Sequence, residues 1–308
     1  MINSNDAIEE LVTMGDLVRW GASCFDEAEL DFGHGTDNAL DEAFTLVRHA
    51  LHLPHDLPPY MILTRVTKNE RRSVVNLLME RITTRKPAPY LIQQAWFAGM
   101  EFFVDERVLI PRSPIAELIE QGFAPWIDPE NVGTILDLCT GSACIAIACA
   151  AAFPDAQVTA TDNYQEALDV AAINVEKHRM QEQVKLVRSD VFEDLQAAQQ
   201  FDIIVSNPPY VDMQDMAALT PEFQHEPFQA LAAGSDGLDI VKRILKKARN
   251  YLTDQGILVV EVGNSESAII EQFPEVPFNW PEFERGGHGV FILTKQELIE
   301  YADSFKSI

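Results

Sequence analysis

Thr134-Ile135-Leu136-Asp137-Leu138-Cys139-Thr140-Gly141-Ser142 is the stretch on which the fold turns. A short β-rich run ends in small and polar residues. The longest uninterrupted apolar run of the chain, 143–153, follows it and is rich in alanine. β-Branched and large apolar residues suit a buried strand, whereas alanine is the best helix former. Strand, glycine turn, helix is the opening unit of a parallel sheet. The rhythm then repeats downstream. Gln157-Val158-Thr159-Ala160-Thr161 is a second predicted strand, followed by a helix over 164–177. Val184-Lys185-Leu186-Val187, Phe201-Asp202-Ile203-Ile204-Val205 and Gly256-Ile257-Leu258-Val259-Val260 are the third to fifth, with a helix over about 239–252 before the last. Val290-Phe291-Ile292-Leu293 closes the sheet. Alternating strands and helices predict an α/β fold with a mostly parallel sheet and helices on both faces.

Upstream, residues 1–90 read as helical. Val74, Leu78 and Ile82 recur every fourth residue, as one helical face requires. Lys86-Pro87-Ala88-Pro89-Tyr90 ends that helix, because proline lacks an N–H and clashes with the preceding turn. A hairpin is expected within 95–109, and Pro111-Arg112-Ser113-Pro114 opens a further helix. The expected division is a helical domain over 1–90, a hairpin linker over 91–110 and the α/β domain over 111–308.

Composition removes several classes of function. The run 143–153 is far short of the roughly 20 residues a membrane-spanning helix needs. No secretory signal is expected, since no apolar core trails a basic start. The four cysteines (Cys24, Cys139, Cys144 and Cys149) form no Cys-x-x-Cys pair. They read as small core residues rather than metal ligands, which suits a reducing, cytoplasmic compartment. The formal charge is −25, of which −20 falls after residue 95. Such a surface repels phosphate backbones and attracts a basic partner. One local exception is basic: Arg65, Lys68, Arg71, Arg72, Arg81, Arg85 and Lys86 face only Glu70 and Glu80. That stretch is either a solvated helix face or a docking surface for RNA or an acidic partner.

In open α/β sheets the ligand lies beyond the carboxyl ends of the strands. Asp137 and Thr140-Gly141-Ser142 follow the first strand, Asp162 the second, Ser189, Asp190 and Val191 the third, and Asn207-Pro208-Pro209-Tyr210 the fourth. Singly, each is a turn or a helix cap. Together they place polar or small residues at four neighbouring strand ends. Asp162 stands where a carboxylate accepts both hydroxyls of a ribose. Gly141 lets backbone approach a ligand, having no Cβ. The loop contains neither Gly-Lys-Ser/Thr nor Gly-x-Gly-x-x-Gly, so an adenosine-bearing ligand without a pyrophosphate fits best. The two prolines of Asn207-Pro208-Pro209-Tyr210 fix φ and hold carbonyls inward. The Asn207 side-chain oxygen and the Pro208 carbonyl then form two acceptors for an NH₂ group, and Tyr210 offers a flat wall beside it.

Residues 137–146, Asp162, Asp190 and Asn207-Pro208-Pro209-Tyr210 together resemble a class I S-adenosylmethionine-dependent methyltransferase acting on a planar nitrogen. Closer still, the chain resembles the Prm family of protein N5-glutamine methyltransferases. It is most similar to the branch that methylates a glutamine of ribosomal protein L three. Leu109-Ile110-Pro111-Arg112-Ser113-Pro114, Asp137-Leu138-Cys139-Thr140-Gly141-Ser142, His225-Glu226-Pro227 and Glu261-Val262-Gly263-Asn264-Ser265 carry that choice. The resemblance extends through the N-terminal helical part. It implies a Rossmann-like, mostly parallel seven-stranded sheet behind a substrate-recognition domain. It also implies that Asp137, Cys139, Thr140, Gly141, Ser142, Asp162, Asp190, Val191 and Asn207 hold S-adenosylmethionine, while Asn207, Pro208, Pro209 and Tyr210 hold the glutamine amide. Asn207, Pro208 and Tyr210 would be catalytic. The expected partner is a basic ribosomal protein, free or within an assembling large subunit, with RNA contact through 65–86 as a further expectation. No metal and no strong general base is expected. Where this branch usually keeps glycine, Ala143 stands; if the site needs φ > 0, alanine costs about 1 kcal/mol. Three other readings remain at this point: methylation of a release-factor glutamine, adenine-N6 methylation of nucleic acid, and a non-catalytic ribosome-assembly factor.

Overall fold

The computed structural model describes residues 3–306. It separates into two compact units. One runs up to Ala95 and includes Leu219–His225; the other comprises Trp96–Ala218 and the chain from Glu226 onward.

The first unit is helical. Its elements are α1 (Ser4–Glu10), α2 (Met14–Glu27), α3 (Ala39–Ala50), α4 (Lys68–Thr84) and α5 (Ala88–Ile92). Thr13 and Thr67 start α2 and α4 with reciprocal capping boxes to Asp16 and Glu70. Phe25, Leu46, Val74 and Leu78 are buried in its core, as the fourfold spacing predicts for the last two. The basic stretch is largely structural. Arg81 is 0% exposed; its Nε holds Glu42 at 2.7 Å and its Nη2 holds the Asp31 carbonyl at 3.0 Å. Arg71 donates to the carbonyls of Glu9 and Leu11, and Arg85 to those of Ala28 and Glu29. Lys68 pairs with Glu9. Glu222, also buried, accepts from Arg85 at 2.8 Å and from the Asp31 amide at 3.2 Å. The segment 219–225 thus belongs to this unit, and His225 Nε2 lies 3.1 Å from the Thr84 carbonyl.

A hairpin of β1 (Ala95–Phe97) and β2 (Met100–Phe102) begins at the boundary, all but Ala95 in the second unit. That hairpin is shorter than expected, since 103–114 carry no regular element before α6 (Ile115–Glu120). Then follow β3 (Thr134–Leu138), α7 (Cys144–Ala152), β4 (Gln157–Asp162), α8 (Gln165–Lys177), β5 (Val184–Arg188) and β6 (Phe201–Ser206). After β6 come α9 (Met213–Ala218), α10 (Phe228–Leu231), α11 (Asp239–Lys247), β7 (Leu252–Glu261), α12 (Glu266–Gln272), β8 (Val290–Thr294) and α13 (Lys295–Glu300). The sheet order is β5-β4-β3-β6-β7-β8, parallel except for β8. One buried cluster packs on each face of it. Strands 3, 6 and 7 are buried nearly throughout, as parallel strands covered on both faces must be.

The sheet therefore has six strands among the described residues rather than seven. The place of the seventh is held by a single antiparallel bridge, Asn279 to Ile292, with backbone hydrogen bonds of 2.8 and 3.3 Å. Pro277 and Pro281 flank that bridge. Neither has an N–H to give to a ladder, so the pairing stops after one residue on either side.

Candidate active site

Strand order reverses between β4 and β6, on either side of β3, and this is where an α/β sheet opens a crevice. Register decides which residues meet there. Leu138 pairs with Thr161 on one side and Ser206 on the other. Cys139, Asp162 and Asn207 therefore leave three adjacent strands at one level. A cavity of about 340 Å³ lies beyond them, wholly within the second unit. That volume is in the range of small-molecule sites.

Cys139, Thr140, Gly141, Ser142, Asp162, Asp190, Val191, Asn207 and Pro209 line this cavity. Asp137, Pro208 and Tyr210 do not. Asp137 lies beneath the first loop, 0% exposed. Its Oδ2 accepts from the Thr140 hydroxyl at 2.5 Å and from the Ala146 amide at 3.1 Å, tying the start of the loop to the helix it feeds. Burial pushes its carboxyl up to about 7, against the hydrogen bonds that lower it. Cys139, Gly141 and Ala143 all take left-handed backbone conformations, with φ of 59°, 53° and 63°. The loop can turn this tightly because its side chains are small. A Cβ built on Gly141 would meet no atom within 4 Å, so that face of the loop is open to a ligand.

Asp162 closes the other side of the loop. Its Oδ2 accepts the Gly141 amide and its Oδ1 the Tyr164 amide, both at 3.0 Å. Each oxygen keeps a lone pair for a further donor. Burial raises its pKa against these bonds. Asp190 meets Arg243 at 2.8 Å on the cavity wall. Val191 holds φ = 57°, an unusual state for a β-branched residue. The Ser189 hydroxyl keeps it there, donating to the Val191 carbonyl at 3.0 Å while accepting the Asp194 amide at 3.1 Å.

Asn207 carries the sharpest polar signal. Its Oδ1 is buried, lies on a cavity-lining residue, and has no hydrogen-bond partner among the described residues. A buried carbonyl oxygen left this way costs about 1–3 kcal/mol, a cost that a bound donor removes. Among the described residues no hydrogen bond reaches the Pro208 carbonyl either. Tyr210 turns away from the cavity, and its hydroxyl donates to Glu261 at 3.0 Å. The aromatic rings on the cavity wall belong instead to Tyr164 and to Phe228, which is 68% exposed.

Several cavity residues carry no mark in the sequence alone. Residues 107–109 and 111–113, from a loop, and 227–230, from the start of α10, lie outside the strand ends. Their only signal is that Leu109-Ile110-Pro111-Arg112-Ser113-Pro114 and His225-Glu226-Pro227 share in the family resemblance. In space, Arg112 grips buried Glu226 through both Nη atoms at 2.6 Å, and the Ile110 amide adds a bond at 3.2 Å. The three arginines on the wall are each paired with a carboxylate: Arg107 with Asp105, Arg112 with Glu226, Arg243 with Asp190. The cavity wall therefore carries neutralised guanidiniums rather than bare positive charge. The chain also has no group of three His, Cys, Asp or Glu residues placed to hold a metal among the described residues. No helix among them is long and apolar enough to cross a membrane. The four cysteines are free; Cys24, Cys144 and Cys149 are buried, and burial pushes the Cys144 thiol up to about 12.

Comparison with known proteins gives the family. The family model described as methyltransferase small domain matches residues 121–236. A ribosomal protein uL3 glutamine methyltransferase of Francisella tularensis subsp. tularensis is 48% identical over 302 residues, covering 98% of this chain and 96% of the relative. One of the same name from Xanthomonas campestris pv. campestris is 48% identical over 297 residues, covering 96% of each. The open backbone at Gly141 and the lone pairs left on the Asp162 carboxylate fit the cofactor such enzymes use. By likeness along nearly its whole length, this chain belongs to the ribosomal protein uL3 glutamine methyltransferases, enzymes of the α/β methyltransferase class that depend on S-adenosylmethionine.

Proposed function

We propose that this chain methylates the side-chain amide nitrogen, N5, of a glutamine in ribosomal protein uL3, with the amide held at Asn207. The unpartnered Oδ1 of Asn207 carries the reading. It is an acceptor on the cavity wall, and an NH₂ group is the donor that suits it.

The residues around the cavity divide the work. The loop 139–142 and Asp162 would hold the amino-acid and ribose parts of the cofactor, and Asp190 and Val191 would flank the adenine. Bound there, the cofactor supplies an electrophilic methyl group. An amide nitrogen is a poor nucleophile because its lone pair is delocalised into the carbonyl. Asn207 Oδ1 and the Pro208 carbonyl would each accept one N–H, concentrating electron density on nitrogen and fixing its direction of attack. The gain comes from orientation and fixed dipoles. The relatives' names favour uL3 over a release factor or a nucleic acid as substrate.

The helical unit up to residue 90, joined by 91–110 to the catalytic part, would present the protein substrate. RNA contact through 65–86 would fall mainly to exposed Arg65 and Arg72, since Arg71, Arg81 and Arg85 serve the unit's own structure. A ribosomal substrate and four free thiols support a reaction in the cytoplasm.

Intact-mass analysis of ribosomal proteins from cells lacking this chain tests the assignment. Loss of one methyl from uL3 alone is expected. An unchanged uL3, or a methyl missing from a different protein, overturns it.

A further inference from the structure

Glu261 is a buried carboxylate that the transfer step does not use. It ends β7, one residue beyond Val260, the register partner of Ser206. It therefore sits beside the strand from which the Asn207–Tyr210 bend departs. Its Oε2 accepts the Ser113 hydroxyl at 2.5 Å, and its Oε1 accepts the Tyr210 hydroxyl at 3.0 Å. Ser113 lines the reaction cavity. Tyr210 does not, yet it ends the bend whose first residue does.

The far side of Tyr210 is equally constrained. Ser265 Oγ donates to the Tyr210 carbonyl at 2.8 Å. Gly263, at φ = 46°, presses against the ring so closely that a Cβ there would come 2.5 Å from Tyr210 Cε2. The ring is thus seated in a slot, its hydroxyl and its carbonyl both held. Nothing about amide chemistry demands such a seat, but a bend that must aim two oxygens does. Positioning of reacting groups tolerates little slack: a misplacement of about 1 Å costs on the order of a hundredfold in rate.

We propose that Glu261 is a positioning residue of the methyl transfer, clamping Ser113 on one cavity wall to Tyr210 at the end of the amide-holding bend. The inference rests on the reading that the glutamine amide sits at Asn207. Glu261 touches neither substrate nor cofactor; it acts by fixing where Asn207 points.

The test compares Glu261→Ala, Glu261→Gln and Tyr210→Phe in the full-length enzyme. kcat on uL3, the dissociation constant of S-adenosylmethionine by calorimetry, and thermal melting are read for each. Tyr210→Phe removes one oxygen and keeps the seated ring, so it informs even if Glu261→Ala fails to fold. A fall in kcat of about tenfold is expected for Tyr210→Phe and about ten- to a hundredfold for Glu261→Ala, with cofactor affinity changed less than about twofold. Glutamine keeps an acceptor for Tyr210 and offers an NH₂ to Ser113, so Glu261→Gln should recover to within about threefold of the parent. Adding Tyr210→Phe to Glu261→Ala should cost nothing further, because the two remove one shared contact. Unchanged kcat in Tyr210→Phe, or Glu261→Gln as slow as Glu261→Ala, overturns the proposal. Asn207→Ala run alongside separates the two levels. If it too turns over normally, the placement of the amide has failed; if it alone is inactive, only the clamp has.

Discussion

Leu138 on β3 and Ser206 on β6 are register partners, and the Ser206 hydroxyl donates to the Leu138 carbonyl at 2.8 Å. Cys139 and Asn207 therefore emerge side by side, though 68 residues separate them in the chain. The loop that would carry the cofactor and the bend that would carry the amide are brought to one edge by ordinary strand pairing. Parallel pairing of buried strands tolerates no slip, because a one-residue shift exchanges the two faces of a strand.

Asn207→Ala follows directly. Removing the orphaned acceptor should lower kcat by about two to three orders of magnitude, the scale of losing one preorganised polar contact at a reacting group. Calorimetry with S-adenosylmethionine should show binding largely intact, since the loop 139–142 and Asp162 are untouched. Full turnover on uL3 would contradict the role given to Asn207.

Ala143 presents two opposed effects. At φ = 63° an alanine is strained by about 1 kcal/mol relative to glycine. Its methyl, however, is fully buried in the core cluster and contributes about 0.8 kcal/mol by burial. Ala143→Gly should therefore shift stability by less than about 1 kcal/mol and cofactor affinity only a few-fold. Ala143→Val adds β-branching to a left-handed position and bulk to a filled core, so a loss of about 2 kcal/mol or more is expected. Urea unfolding and calorimetry on both variants check this; a strongly stabilised Ala143→Gly would show that strain outweighs burial.

Two carboxyls should make stability depend on pH in an unusual direction. Burial raises both Asp137 and Glu261 to about 7 from ordinary values of 3.8 and 4.5. Asp162 adds to the rise at Asp137, while Arg112 opposes it at Glu261. The folded state thus holds these protons more tightly than the unfolded chain. Their contribution is greatest below the unfolded values and is lost as pH rises through the interval up to about 7. The melting temperature of Glu261→Gln and of Asp137→Asn, relative to the parent, should therefore improve from about pH 5 to pH 8. A relative stability that is flat across that range would exclude the shifted carboxyls.

Arg81 separates structural from docking use of the basic helix. It lies buried with Glu42 at 2.7 Å and Glu222 at 3.6 Å. Arg81→Met would leave buried carboxylates uncompensated and should cost about 3–5 kcal/mol. Exposed Arg72→Ala should stay within about 0.5 kcal/mol. Denaturant midpoints measure both, and a stable Arg81→Met protein would mean that the pair does not hold this unit together.

The strand–helix alternation was legible in the sequence, because short runs rich in β-branched residues and bounded by turns alternate with longer, alanine-rich or amphipathic stretches. So were the polar strand ends, since Gly141, Asp162 and Asn207 are residues that a packed core does not otherwise require there. Where it fell short, pairing partners or backbone detail were the deciding factors. The seventh strand shrank to one bridge at Asn279 because flanking prolines cannot extend a ladder. Arg81 and Arg85, read among a basic face, turned inward because carbonyls and carboxylates from distant segments await them. Tyr210 left the cavity because Glu261, 51 residues away, draws its hydroxyl into the sheet edge. Local pattern follows from each residue's own chemistry. The direction a polar side chain takes depends on partners remote in sequence, which only the assembled fold supplies.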